Sequence, residues 1–374
     1  TATTGDITQG VALAVGGTSS FTTSATGSDI TLNNANNAFT GAVVLNTTGS
    51  SGHATVVDAS GLDLGASTVG GNLTATAATG NMTDSGNLTV TGTSSFTTSA
   101  NNATITLNNA NAFTGAVALN TTGSSAHATV VDASGLNLAA SAVGGNLSAT
   151  ATTGDIVDSG NLAVTGTATF ITGASGSNII LDASGNAFSN AVTMKADTGG
   201  DEAFGNITFV DSGAVVIQTS AATNADGELL IDGSTDGAVG GNLDITATTG
   251  DITQGVALAV TGTSTFVTSA NGAKITLDTT TNAFTGALTI TTNDNSGTDG
   301  DVTISAGSGA ELKFATSTID GDLIAASSHT TGISDTGALT IAGTASFQTS
   351  TTDADIVLDA GHAITGKVTL NTTG

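Results

Sequence analysis

The sequence predicts an all-β chain: a β-solenoid of the right-handed parallel β-helix kind, with about three coils in each repeat unit of about 75 residues. Three observations carry that expectation. The chain repeats itself five times, its apolar residues alternate with period 2 between turn residues, and its 374 residues include no proline.

The repeats come first. TATTGDITQGVALAV at the start returns as TAATGNMTDSGNLTV, TATTGDIVDSGNLAV, TATTGDITQGVALAV and SHTTGISDTGALTI, anchored at Gly5, Gly80, Gly154, Gly250 and Gly332. A second block follows each anchor: DITLNNANNAFTGAV, TITLNNANAFTGAV, NIILDASGNAFSNAV, KITLDTTTNAFTGAL and DIVLDAGHAITGKV. Shared order with variable spacing reads as one continuous array over 1–374. Its units run about 1–69, 70–143, 144–239, 240–320 and a partial 321–374. The long third unit, from about Asn186 to Gly241, is expected to hold an additional coil.

Within a unit, NLTVTGT, ATITLNN and AVALNTT alternate with period 2 and are broken by Gly, Asn, Asp or Ser. That is the pattern of short strands separated by turns. Strand centres fall near Leu73, Met82, Leu88, Phe96, Ile105, Val117, Val130 and Leu138, with Leu147 opening the next copy. This implies about three strands per coil. Thr, Gly and Asn disfavour helix. The missing proline fits a fold in which each coil donates its N–H groups to a neighbour.

Equivalent positions explain the stacking. Phe21, Phe96, Phe170, Phe266 and Phe347 share one repeat position; Phe39, Phe113, Phe188, Phe284 and Ile364 share another. Both are expected inside, where the single Ile shows a demand for apolar volume. Gly41, Gly115, Asn190, Gly286 and Gly366 form a third, read as a turn that needs positive φ. Phe113→Asp should therefore disrupt its coils, and Asp132→Asn, in a turn expected to face solvent, should be nearly silent.

Composition excludes several functions. Four Lys+Arg against 30 Asp+Glu leave a net charge of −26, which rules against nucleic acid and anionic lipid as partners. There is no Cys, hence no disulfide scaffold or thiolate zinc site. No run approaches the length of a membrane span. Polysaccharide lyases need Arg or Lys as base, and glycosidases need a carboxylate pair in an aromatic-lined groove. Arg, Trp and Tyr are absent, and Asp197/Asp201 and Asp353/Asp355 lie in repeat or turn contexts. A carbohydrate-active β-helix enzyme is thus the runner-up, and no catalytic residue is assigned. Thr74/Thr76, Thr89/Thr91 and Thr104/Thr106 suggest an ice-binding ladder as a third reading, although β-propensity selects Thr-x-Thr as well.

All but three of the acids are Asp, mostly beside Gly, Ser or Thr, as in VDAS, where turn chemistry accounts for them. The densest group, Asp294, Asp299 and Asp301, supplies hard oxygen ligands without EF-hand spacing, so it stands as a weak calcium candidate and no other cofactor is expected. His53, His127, His329 and His362 read as surface or turn residues. His362 takes the place of Asn37, Asn111, Asn186 and Asn282.

The recurring GGNLT, LTVTGT and ITL followed by NAFTGAV resemble the repeat region of large secreted bacterial adhesins of the filamentous haemagglutinin type and related autotransporter-like surface proteins. The resemblance implies a non-catalytic structural rod in an extracellular or cell-surface fibre, facing a host or neighbouring cell. Thr1 enters in the middle of a motif, and Gly374 closes NTTG where earlier copies continue. The sequence is therefore expected to be a section of a longer array, or to associate axially with copies of itself.

Overall fold

Alternating apolar and polar residues make short strands whose inward side chains are buried and whose outward ones are not, as in the buried-intermediate-buried pattern of Ala128–Asp132. The computed structural model describes residues 1–196, 205–218, 228–231, 238–293, 297 and 299–373. The chain falls into two compact units, Thr1–Ala174 and Ser175–Gly374. In each unit, parallel strands stack coil upon coil as a β-solenoid, and no helix occurs among the described residues.

The second repeat shows how a coil is made. Leu73–Ala77 is a straight half-coil on one face; Met82–Asp84 and Leu88–Val90 form a bent half-coil on the other. The chain continues through straight Ser94–Asn101, the long Ile105–Phe113, and straight Val117–Thr122. Next come straight Ala128–Asp132 and bent Leu136–Leu138 with Ser141–Val143, before the next repeat opens at Leu147–Ala151. Seven half-coils make one repeat. The three coils expected per unit are present, with half of a fourth.

An odd number of half-coils places successive repeats on opposite faces. Leu73–Ala77 and Leu147–Ala151 are equivalent in sequence and lie in different sheets, as do Ser19–Thr26 and Ser94–Asn101. In the second unit, Leu243–Ala247 and Leu323–Ser327 part in the same way. The equivalent phenylalanines therefore do not stack on one another. Instead the two sets meet edge to face within a repeat: Phe21 with Phe39, Phe96 with Phe113 and Phe266 with Phe284, at centroid distances of 6.1, 5.8 and 6.3 Å. Phe96, Phe266 and Phe284 are fully buried, as the sequence predicts.

Seven half-coils also create two mismatches per repeat. Where a bent half-coil lies over a straight one, ladder pairing is reduced to Val117↔Leu138 and Asn120↔Ala142. The Leu119 N–H between them donates to Ser141 Oγ at 3.0 Å, and that hydroxyl donates to the Ala139 carbonyl at 2.8 Å. Ser67 serves Leu45 and Ser317 serves Ile290 in the same way. Ser141→Ala should strand a buried N–H and cost about 1–3 kcal/mol. Faster amide exchange at Leu119 is the measurement.

Where a straight half-coil lies over a bent one, aspartate makes the join. Phe113 N–H donates to Asp132 Oδ2 at 3.0 Å, while Oδ1 accepts the N–H and hydroxyl of Ser134, both at 2.9 Å. Asp58 holds Phe39 and Ser60 alike. Asp58 and Asp132 are 0% exposed. This corrects the expectation for Asp132, which is an interior adaptor.

The Gly41 position is corrected too. None of Gly41, Gly115, Gly286 and Gly366 has positive φ. A Cβ on Gly115 would lie 2.4 Å from the Gly92 carbonyl oxygen, and one on Gly286 would lie 2.3 Å from that of Gly262. Close approach of stacked backbones, not φ, demands glycine there. Gly115→Ala should spread the coils and cost about 1–3 kcal/mol, read as a lower denaturation midpoint. One left-handed corner lies elsewhere, at Gly27, Asn102, Gly176, Gly272 and Asp353, with φ of 78°, 64°, 70°, 74° and 60°, and Gly49, Gly123 and Gly332 also have positive φ.

In the long third repeat, Ile207 pairs with Leu243, 36 residues on. Strand Glu228–Ile231 lies between Val192–Lys195 and Val215–Gln218, out of chain order. Among the described residues, the insertion adds this one strand; the rest of the segment where the additional coil is expected, 197–204, 219–227 and 232–237, lies outside the described residues.

Candidate functional site

A bent half-coil must turn a corner inside the stack, and at several of these corners a polar pair from two stacked bends fills it. Asn111 Oδ1 accepts the Leu88 N–H at 2.8 Å, and its Nδ2 donates to Asp84 Oδ2 at 2.8 Å. Asn37 and Asn282 do the same for Leu13 and Leu258, with Gln9 and Gln254 in place of Asp84. His362 takes over this role with an imidazole. Its Nδ1 accepts the Leu339 N–H at 3.1 Å, and its Nε2 lies 3.2 Å from Asp335 Oδ2, close enough for charge attraction though not aligned as a hydrogen bond. Its side chain is only 14% exposed, so the surface reading of His362 is corrected. The shared frame is geometric: Asn Oδ1 and His Nδ1 both stand three bonds from Cα.

A second set of side chains marks the entry to the half-coils, bent and straight alike. Asp29 Oδ1 accepts the His53 N–H at 2.7 Å, His53 Nδ1 accepts the Asn72 N–H at 2.9 Å, and Asn72 Oδ1 accepts the Thr93 N–H at 2.9 Å. Each residue thus holds the one above it. On the opposite face, His127 holds Asn146 and Asn146 holds Thr167, at 2.8 and 3.0 Å. His53 and His127, equivalent in sequence, are accordingly on different faces.

In the second unit this column runs through Asp251, Lys274, Asp301 and Asp322. Asp251 accepts the Lys274 N–H at 2.7 Å, Asp301 accepts that of Asp322 at 3.1 Å, and Asp322 accepts that of Thr344 at 2.6 Å. Lysine has no acceptor to offer, and its ammonium instead reaches Asp301 Oδ2 at 2.7 Å. Hydrogen bonding to Lys274 is the main cause holding the Asp301 carboxyl below the usual carboxylate range, and the same bond raises Lys274. The depressed Asp301 contributes stability above its unfolded pKa and loses it on acidification through the folded one, and salt weakens the effect at so open a site.

These groups edge a shallow depression of about 310 Å³ with Thr276, Val302, Thr303 and Ile324. Of the calcium candidates, Asp301 has one oxygen on a main-chain N–H and the other on Lys274. Asp299 is exposed, and Asp294 lies outside the described residues. Among the described residues there is no group of three or more His, Asp or Glu able to hold a metal. Asp353 occupies the left-handed corner, and Asp197 and Asp201 lie outside the described residues.

Sequence reasoning missed the partners in the bends, although Gln9, Asp84, Asp158, Gln254 and Asp335 share one repeat position that a column alignment displays. No helix among the described residues is long and apolar enough to cross a membrane.

Neither the curated proteins nor the solved structures contain a significant match to the chain. A repeat-family model matches it five times, over residues 1–46, 51–120, 125–195, 220–291 and 299–371. The gap at 196–219 falls inside the insertion inferred between Asn186 and Gly241. With most of its length matched, the chain belongs to the family described as Repeats of unknown function (DUF5649).

Proposed function

We propose that the array is a non-catalytic structural rod of an extracellular or cell-surface fibre of the adhesin type, extended axially by more of the same polypeptide or by further copies. The observation that carries this reading is where the polar side chains are spent. Asp132, Ser141, Asn111, Asn72 and His53 each accept a main-chain N–H from the same or an adjoining coil. Groups that a hydrolase would keep free for substrate thus serve cohesion between coils. Outward positions add a polar, uncharged column, Thr8, Thr31, Thr55, Thr74 and Ser95, in register from coil to coil.

Electron microscopy of the purified chain, with mass measurement, tests the proposal. Slender particles of uniform width that join end to end support it. Compact particles without association, or release of sugar from neutral or acidic polysaccharides, would overturn it.

A further inference from the structure

All four histidines use Nδ1 as an acceptor for a main-chain N–H: from Asn72 to His53 at 2.9 Å, Asn146 to His127 at 2.8 Å, Thr331 to His329 at 3.2 Å and Leu339 to His362 at 3.1 Å. An imidazole that accepts at Nδ1 carries its proton on Nε2. A second proton has only Nδ1 to enter, and there it meets an N–H.

His53 and His127 feel this most directly. His362 has the Asp335 carboxylate beside it, a partner for added charge. The charged group next to His53 in its column is Asp29, whose Oδ1 accepts the His53 main-chain N–H; its negative charge opposes the effect at His53 and leaves His127 the cleaner case. Above His53 stands Asn72, and above His127 stands Asn146, both neutral; Thr104 occupies the place below His127. Backbone covers both acceptors: a Cβ on Gly71 would lie 2.5 Å from His53 Nδ1, and one on Gly145 would lie 2.7 Å from His127 Nδ1. The ring of His127 is otherwise exposed and that of His53 half-buried, so protons reach them.

We infer that His53 and His127 are acid-sensitive rungs, whose protonation releases Asn72 and Asn146 and loosens the coils that begin at Leu73 and Leu147. The loss passes upward, because Asn72 and Asn146 in turn hold Thr93 and Thr167. A proton on Nδ1 of either ring therefore removes a hydrogen bond that joins one coil to the next.

The repeats supply the control. Asn Oδ1 stands where His Nδ1 does and has no proton to gain, so the double variant His53→Asn/His127→Asn keeps both rungs at any pH. Thermal unfolding at pH 7.5 and 5.5 should show the wild-type midpoint falling by several degrees and the double variant falling distinctly less. Equal falls overturn the inference. Imidazole ¹⁵N spectra of the wild-type protein provide a test independent of the variant's folding. Proton on Nε2 in both rings at pH 7.5, with exchange at the Asn72 and Asn146 amides rising beyond the intrinsic pH effect on acidification, supports it. Proton on Nδ1 overturns it.

Discussion

Phe113→Asp is expected to unfold the coils around it, the largest single-residue effect in the first two repeats. Phe113 is 2% exposed and meets Phe96 edge to face at 5.8 Å with an interplanar angle of 69°. Removing the ring forfeits about 3–5 kcal/mol of burial and packing. The new carboxylate would lie among Leu, Val and Phe, adding several kcal/mol that neutralisation only partly relieves. Because repeat arrays open locally, amide exchange over 82–132 is a better readout than one global midpoint. Phe113→Ile should be far milder, since Ile364 occupies this position in the fifth repeat. Retained protection in the Asp variant would refute the inward placement.

Asp132→Asn is expected to destabilise the same region by about 1–3 kcal/mol, contrary to the sequence-based expectation of near silence. Both carboxylate oxygens accept, one from Phe113 N–H and the other from the N–H and hydroxyl of Ser134. Asparagine replaces one acceptor with a donor, which must face a donor in a site that is 0% exposed. Asp132→Ala should cost more, since it removes all three bonds. Chemical denaturation of the two variants beside Asp155→Asn, which changes an acid outside this join, measures the difference. Wild-type stability for Asp132→Asn would show the adaptor to be dispensable.

VDAS shows why the sequence misled at Asp132. Half of its chemistry is local: Oδ1 bonds to the backbone and side chain two residues on, as in any Asp turn, and that half was legible. The other half goes to Phe113, 19 residues earlier, and only the stacking brings the two together. His362 misled for the same reason. Its neighbours in sequence are Gly and Ala, while its partners Leu339 and Asp335 come from the coil beneath. The Gly115 position was recognised as special for the wrong cause, because a glycine required by a clash with the coil below looks in sequence like a glycine required by φ. The candidate calcium group was legible only as a density of acids. That Asp301 already serves Lys274 and Asp322 depends on which coils adjoin.

What the sequence by itself determined is whatever repeats along the chain: the five units, the strands centred at Leu73, Met82, Leu88, Phe96, Ile105, Val117, Val130, Leu138 and Leu147, and the inward sense of the phenylalanines. Period 2 is a local signal, and a strand's two faces are set once its residues alternate. Tertiary structure alone decided which strand lies over which. The coil offset varies from 19 residues at Ala54↔Leu73 through 24 at Ile30↔Ala54 to 36 at Ile207↔Leu243, so no fixed spacing in the sequence announces it. From those offsets come the seven half-coils, the alternation of repeats between faces, and the serine and aspartate joins. The physical reason is that each coil's hydrogen-bonding groups are completed by residues a full turn away, where alternation within a strand carries no information.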